Sequence, residues 1–403
     1  MVRSTCFLAG NLAFVFAQFA VLLFIARLGT PVAVGGYMLA LAVLNPMFFF
    51  ARLDMRRAYA ADSEGTHSYY DYRRLNIGLI SIITVVGVLA LVLDEETVLG
   101  LAFAVLVSRA IDSYLALNYG AHLQSGRQHV IGISLALRGA LSILCIFLLY
   151  AATSSIAVAI WGLPLGWALT LAFWDAPRTN QRHAAAGKEA SFSSDSHAVR
   201  DLFFLLIPLG IAGLLGQLNA SFPRLLLADV EGTDVLGQVS PALQIHAVVL
   251  ILAQSAFQPL IPIVSRSLRE GKNRSVVVVL LKVGCGAALV GLASCLGAYL
   301  LGPWAIHITF GEAYAMAGRF LGIAAISWSL RLLSDVANVL VIGSQKFKHT
   351  MILQLLTLLV SIVFIYLGWQ YLGIEGVFIG IAITSGFAFL SNIFLCQLIL
   401  RRR

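Results

Sequence analysis

Long apolar segments follow one another along almost the whole sequence, and each is about as long as a lipid bilayer is thick. An α-helix needs about 20 apolar residues to cross the hydrocarbon core, because it rises only about 1.5 Å per residue. Hydrophobic residues make up 60% of the 403 residues and charged residues only 11%, whereas a soluble domain carries about 25% charged residues. The sequence therefore predicts an all-α integral membrane protein.

Hydropathy predicts about twelve transmembrane helices in two parallel sets of six. A polar segment at 175–200, rich in Ser, Ala, Gly and charged residues, separates the sets, and we interpret it as a cytoplasmic linker. The predicted domains are therefore an N-terminal lobe at 1–174 and a C-terminal lobe at 201–403. The predicted spans are 6–28, 33–52, 75–93, 97–119, 131–153, 155–174, 201–227, 235–264, 276–301, 314–342, 350–371 and 376–400.

Basic residues alternate from one predicted loop to the next. Most of the 27 lysines and arginines lie at the two termini and in every second loop, while the intervening loops contain none and several are acidic. The positive-inside rule then places both termini in the cytoplasm. The net charge of +8 is accounted for by this orientation pattern, so the sequence predicts no nucleic-acid partner.

The sequence lacks the usual marks of a metal site or an enzyme. Its five cysteines are scattered through apolar segments, with no CxxC spacing and no histidine cluster beside them, so neither disulfides nor a metal site is predicted. No GxxxxGK[ST] loop is present to bind ATP. The predicted outer loops are too short for the external domain expected of a lipid-linked glycosyltransferase. We therefore predict a non-enzyme without catalytic residues or cofactor.

Arg109 and Asp112 lie near the middle of the fourth predicted span, where each charge costs about 2.5–3.5 kcal/mol. Their i, i+3 spacing places both on one helix face, close enough to neutralise each other. The tenth span carries a related pair, Arg331 and Asp335. We interpret the two aspartates either as partners of these arginines or as groups that couple transport to protons, and the sequence leaves both interpretations open.

The two halves also match at Arg27 and Arg224, near the outer ends of the first and seventh spans. Such a parallel repeat is typical of a two-lobed transporter with a substrate cavity between its lobes. Because guanidinium groups suit phosphate, we predict a cationic substrate-binding surface of Arg27, Arg109, Arg224 and Arg331. The alternative for Arg27 and Arg224 is snorkelling to the outer interface. For Arg138, near a predicted cytoplasmic helix end, snorkelling is the favoured interpretation.

Amide side chains share helix faces in the first, seventh and eighth spans. Amides offer paired donors and acceptors that suit sugar hydroxyls, although hydrogen bonding between helices is an equal alternative. The candidate sugar contacts are Asn11, Gln18, Gln217, Gln244, Gln254 and Gln258.

Residues 10–62 resemble the start of the bacterial O-antigen-type polysaccharide flippases. These belong to the multidrug/oligosaccharidyl-lipid/polysaccharide exporter superfamily. The fourth span and the segment 223–244 are similar to the same family. The shared residues are Gly36-Tyr37, Pro46, Arg56, Arg57 and Asp62 in the first segment, and Arg109, Asp112, Tyr119-Gly120 and Gln124 in the fourth span.

The resemblance implies a flippase that moves undecaprenyl-diphosphate-linked oligosaccharides across the bacterial inner membrane by alternating access. Such units serve O-antigen, capsule or exopolysaccharide assembly. The implied partners are the lipid bilayer and the lipid-linked oligosaccharide, with a polysaccharide polymerase and chain-length proteins as further candidates.

Two alternatives come from other functional classes. The first is a cation- or proton-coupled multidrug or small-molecule antiporter of the same superfamily, which the absence of carboxylates from the first and seventh spans disfavours. The second is a membrane glycosyl- or acyltransferase, which the short outer loops disfavour.

Overall fold

The computed structural model describes residues 2–62, 67–92, 99–179, 196–257, 260–270, 272–344 and 347–401. These residues form helices and no strand, with a π-helical turn at Leu171–Asp175 and a 3-10 turn at Glu312–Tyr314. The α-helices are α1 (Val2–Leu28), α2 (Pro31–Arg52), α3 (Met55–Ala61), α4 (Tyr69–Val92), α5 (Leu99–Gln124), α6 (Gln128–Thr153), α7 (Ile156–Ala159), α8 (Gly162–Thr170), α9 (Ser196–Phe257), α10 (Leu260–Arg269), α11 (Asn273–Thr309), α12 (Ala315–Gly343) and α13 (Phe347–Arg401).

Ten helices among the described residues are long and apolar enough to cross a membrane. Two of these spans, His197–Ala253 with 57 residues and Met351–Leu400 with 50, are long enough to cross twice. Each is interrupted by a glycine with positive φ, Gly232 at 83° and Gly373 at 62°, in a region that favours glycine. The two breaks divide the ten helices into twelve segments, the number of spans that was predicted. The predicted all-α membrane fold is confirmed.

Contacts between residues divide the chain into two compact units, Met1–Ser221 and Phe222–Arg403. We call them the N-unit and the C-unit. The division falls inside α9, about twenty residues beyond the polar segment that was predicted to separate two lobes.

The described ends of the predicted linker 175–200 are helical. The helix containing the π-helical turn continues to Thr179, and α9 begins at Ser196. Asp175 and Thr179 are buried, so these polar residues belong to the bundle although their composition is typical of a linker. Residues 180–195 lie outside the described residues.

In the N-unit, α5 packs against α2, α3, α4 and α8, while α6 packs against α1 and α8. Small residues allow the α1–α6 contact to be close. A Cβ placed on Gly10 would lie 1.9 Å from the carbonyl oxygen of Gly132. Such backbone contact is typical of helix packing in membranes, where small residues bring helices together.

In the C-unit, α12 packs against both α11 and α13. Within α13, the helical segments on either side of Gly373 approach each other so closely that Gly368 and Gly376 are in backbone contact. A Cβ on Gly376 would lie 1.8 Å from the carbonyl oxygen of Gly368. The left-handed turn at Gly373 and this close approach together define a tight helical hairpin.

Replacing Gly376 with alanine should destabilise the protein, because the two segments must separate to admit the methyl group. We expect a loss of about 1–3 kcal/mol, measured as a lower midpoint of thermal unfolding in detergent. The matched control is Gly284→Ala in α11, where a Cβ would meet nothing within 4 Å. Equal midpoints for the two variants would contradict the close approach.

Candidate functional site

The candidate site in the N-unit is built around Asp112, which lies midway along α5. Its carboxylate accepts hydrogen bonds from two arginines on other helices. Arg138 of α6 donates through Nη2 to Oδ1 at 2.7 Å, and Arg52 at the end of α2 donates through Nη2 to Oδ2. Arg52 also donates through Nε to Ser113 at 3.2 Å. A single carboxylate therefore joins α2, α5 and α6.

The direct ion pairs of Asp112 are with Arg52 and Arg138, while Arg109 interacts with Asp112 at longer range. The predicted snorkelling of Arg138 is wrong, because the side chain is buried and donates to Asp112. α6 begins at Gln128, which is earlier than predicted and places Arg138 about 15 Å along the helix.

A chain of hydrogen bonds leads from Arg138 to a second buried acid. Arg138 donates to the Tyr119 hydroxyl at 3.4 Å, and Ser134 donates to Asp175 at 2.8 Å. The Tyr119 and Ser134 oxygens are 2.7 Å apart. Since the single hydroxyl proton of Ser134 is directed at Asp175, Tyr119 is the donor to Ser134. The chain fixes the orientation of Arg138.

Aromatic rings complete the surroundings of Arg138. Its guanidinium carbon lies 4.0 Å from the centroid of the Trp167 ring and 4.8 Å from that of Phe14. Cation–π contacts of this kind stabilise a charge that has lost its water. Arg138 is therefore held by a carboxylate, a phenol and two rings, which together compensate for its burial.

Arg109 is compensated less completely, because it forms no direct ion pair among the described residues. It lies within electrostatic range of Asp112, Arg52 and Arg138, and its guanidinium carbon is 5.6 Å from the Trp167 centroid. Its buried Nε has no hydrogen-bond partner among the described residues. Three arginines thus surround one carboxylate, and the cluster carries surplus positive charge.

The sequence contained a pattern that identifies Arg138. Ser134, Arg138 and Ser142 are spaced four residues apart, so they form one polar stripe on α6, and all three are buried. A polar stripe on an otherwise apolar helix indicates a face turned into the protein. Asp175 was missed because it lies in a segment whose composition is typical of a linker.

The C-unit contains a second group of charges. Arg331 and Asp335 form an ion pair on α12, with Nε and Oδ1 3.6 Å apart. Arg224 of α9 is half-buried, and its buried Nε has no hydrogen-bond partner among the described residues. His246, which the sequence analysis did not consider, lies within electrostatic range of Arg224 and Arg331. The C-unit therefore contains two of the four predicted arginines, Arg224 and Arg331.

Arg27 lies at the end of α1 and is exposed. This position agrees both with binding of a substrate phosphate and with snorkelling to the outer interface. Among the residues that the structure describes, no group of three or more His, Cys, Asp or Glu side chains could hold a metal ion.

The predicted amide residues are divided between the two units. Asn11, Gln18 and Gln217 belong to the N-unit and Gln244 to the C-unit. The buried Nε2 of Gln18 has no hydrogen-bond partner among the described residues, as expected of a group that awaits a ligand or a bound water. The side chain of Gln254 and the whole of Gln258 lie outside what the structure describes.

Comparison with protein-family models finds no match. The chain is similar to the capsular polysaccharide biosynthesis protein CapF of Staphylococcus aureus, with 22% identity over 381 residues, covering 94% of this chain and 95% of CapF. A sequence likeness of this extent runs through both units.

Solved structures share the fold. An inward-facing multidrug resistance MATE family transporter of the MOP superfamily matches with a TM-score of 0.73 and 15% identity, over 99% of this chain and 95% of that one. A MOP superfamily transporter from Pyrococcus furiosus, described as having a binding pocket of reverse polarity, matches with a TM-score of 0.71 and 16% identity over the same shares. The chain has the two-lobed fold of these transporters, in agreement with the superfamily that the sequence resembles.

Replacing Asp112 with asparagine should strongly destabilise the protein, because Arg138 would remain buried without its counter-charge. Breaking one side of a buried ion pair costs about 3–5 kcal/mol, which should appear as a large fall in the thermal unfolding midpoint. The double variant Asp112→Leu with Arg138→Leu should recover part of the loss.

The control for this prediction is Asp54→Asn. Asp54 pairs with Arg57, whose side chain is 80% exposed, and an exposed pair contributes at most about 1 kcal/mol. A midpoint for Asp112→Asn no lower than that of the control would contradict a structural role for the cluster.

Proposed function

We propose that this protein is a flippase that moves undecaprenyl-diphosphate-linked oligosaccharide units from the cytoplasmic to the periplasmic leaflet of the bacterial inner membrane. The observation that carries the proposal is the surplus of arginine charge around Asp112 in the N-unit. The fold of the MOP superfamily transporters and the likeness to CapF support it. The units would serve O-antigen, capsule or exopolysaccharide assembly.

The charge surplus suits an anionic substrate. A buried charge without a partner is unfavourable, and Arg109 has neither an ion pair nor a hydrogen bond to its Nε among the described residues. A diphosphate supplies the missing negative charge, and its oxygens accept charge-assisted hydrogen bonds from a guanidinium fork. Arg109 is therefore the first residue that we assign to the headgroup.

A cation-coupled drug antiporter is the second candidate, because the fold is that of MATE transporters. A carboxylate that binds a cationic drug or exchanges a proton must be free of other partners for part of the cycle. Both oxygens of Asp112 accept hydrogen bonds from arginines. Asp112 is therefore not free to bind a cation, which favours an anionic substrate. Asp335 has one buried oxygen without a hydrogen-bond partner among the described residues, so it is the better candidate for coupling.

The rest of the proposal follows from the sequence and the resemblance. We propose two lobes of six helices, 1–174 and 201–403, joined by the linker predicted at 175–200, of which the first residues belong to the bundle and the remainder lies in the cytoplasm. We further propose that both termini are cytoplasmic and that access alternates between the lobes. Arg27, Arg224 and Arg331 complete the cationic surface, and the amide side chains contact sugar hydroxyls. A polymerase and chain-length proteins are the proposed protein partners.

Replacing Arg109 with alanine should lower surface polysaccharide about tenfold or more in cells, since a lost hydrogen bond between charged groups costs about 1.5–3 kcal/mol. Lipid-linked oligosaccharide should accumulate inside, and Arg109→Lys should retain part of the export. Immunoblotting of the membrane fraction checks that protein levels are equal.

The matched control is Arg57→Ala, because the Arg57 side chain is 80% exposed and its ion pair within the described part of the chain is with Asp54 at 3.3 Å. This variant should export normally. Normal export by Arg109→Ala, with no accumulation of the lipid-linked intermediate, would refute the role of the surplus charge.

A further inference from the structure

We propose that Trp167 is a positioning residue, whose ring holds the guanidinium of Arg109 in the orientation that binds the diphosphate headgroup. The inference rests on the proposed function and deepens it, since it names a residue that acts on the substrate through Arg109.

Trp167 lies on α8 and has no exposed surface. Tryptophans of membrane proteins commonly anchor a helix at the bilayer surface, where the indole meets both lipid and water. A ring that is 0% exposed cannot serve as such an anchor. Its role therefore lies inside the N-unit.

Small residues bring the Trp167 ring against α6. A Cβ placed on Gly166 would lie 2.5 Å from the backbone nitrogen of Ser142, and one placed on Gly162 would lie 2.3 Å from that of Ile146. The backbone of α8 therefore lies directly on α6, as small residues allow in membrane bundles. Because Trp167 follows Gly166, this close packing fixes the position of its ring.

Two arginines and a phenylalanine surround the Trp167 ring. The guanidinium carbon of Arg138 lies 4.0 Å from the ring centroid, and that of Arg109 lies 5.6 Å from it. The Phe14 ring is tilted against the indole, with the centroids 5.7 Å apart. Because the face of an indole ring attracts cations, one side chain offsets part of the repulsion between two guanidinium groups.

The indole nitrogen does not explain the presence of Trp167. Its buried N–H has no hydrogen-bond partner among the described residues, and an unmatched buried donor is unfavourable. Trp328 of the C-unit differs, since its indole donates to Ser294 at 2.9 Å. The contribution of Trp167 therefore comes from its ring, and phenylalanine should preserve it.

Arg109 depends on this ring more than Arg138 does. Arg138 is also held by Asp112 at 2.7 Å and by the Tyr119 hydroxyl at 3.4 Å. Arg109 forms no ion pair among the described residues, and its buried Nε has no hydrogen-bond partner there. Arg109 is half-buried, so a substrate can reach it. A ring that restricts this side chain before the diphosphate arrives lowers the entropy lost on binding.

The test is calorimetric titration of inorganic pyrophosphate into the full-length protein in nanodiscs. Trp167→Met, which keeps an apolar side chain but removes the ring, should weaken pyrophosphate binding about fivefold. Trp167→Phe should retain most of the affinity. A merely structural role would not make the affinity depend on an aromatic ring.

Fluorinated tryptophans at position 167 give a second measurement that leaves the shape of the side chain nearly unchanged. Fluorine withdraws electron density from the ring face and so weakens its attraction for a cation. The affinity for pyrophosphate should therefore fall stepwise as fluorine atoms are added. An affinity that is independent of fluorination would overturn the positioning role, even if Trp167→Met does not fold.

The matched control is Trp328→Met, which removes another buried ring and should leave pyrophosphate affinity unchanged. Equal weakening by Trp328→Met and Trp167→Met, or by Trp167→Phe and Trp167→Met, would overturn the proposal for Trp167. Arg109→Gln tests the proposed function separately. If it weakens binding while the Trp167 variants do not, Arg109 keeps its role and Trp167 loses its own. Unchanged binding by Arg109→Gln would refute the role of Arg109 itself.

Discussion

The ion pairs of Asp112 with Arg52 and Arg138 are the interaction on which the N-unit depends. They join α2, α5 and α6 through side chains that are largely buried, so each charge must find its partner inside the protein. The hydrogen bonds through Tyr119 and Ser134 extend this arrangement to Asp175. Each oxygen of Asp112 thus has an arginine partner, and under the proposed function the neighbouring Arg109 keeps its charge for the substrate.

The two units pair their buried arginine and aspartate charges in different ways. Their sequences suggest matching arginine–aspartate pairs, yet Arg331 contacts its own aspartate at 3.6 Å, while Asp112 contacts arginines from other helices. The N-unit cluster is held rigidly by many contacts, and the C-unit group is held by few. Under the proposed function, a tightly held charge cluster in one unit and a less constrained one in the other would suit both binding and release of an anionic headgroup.

The class of fold and the charged residues within the membrane spans could be predicted from the sequence, because segment length, hydropathy and the cost of burying charge constrain both. It could not identify the partner of Asp112, since several arginines were within reach and only the packing of α2 and α6 selects among them. The first residues of the predicted linker were also misjudged, because Asp175 and Thr179 are polar by composition but buried in the bundle. His246 was missed because a lone histidine on an apolar helix has no distinguishing pattern.

The most direct test of the account is transport by the purified protein in vesicles that carry an undecaprenyl-diphosphate-linked oligosaccharide. An enzyme added outside reports how much of the sugar reaches the outer leaflet. The protein should transfer the diphosphate-linked oligosaccharide rapidly and should transfer little of a neutral glycolipid that bears the same sugars. Equal transfer of both lipids, or none of the charged one above protein-free vesicles, would contradict it.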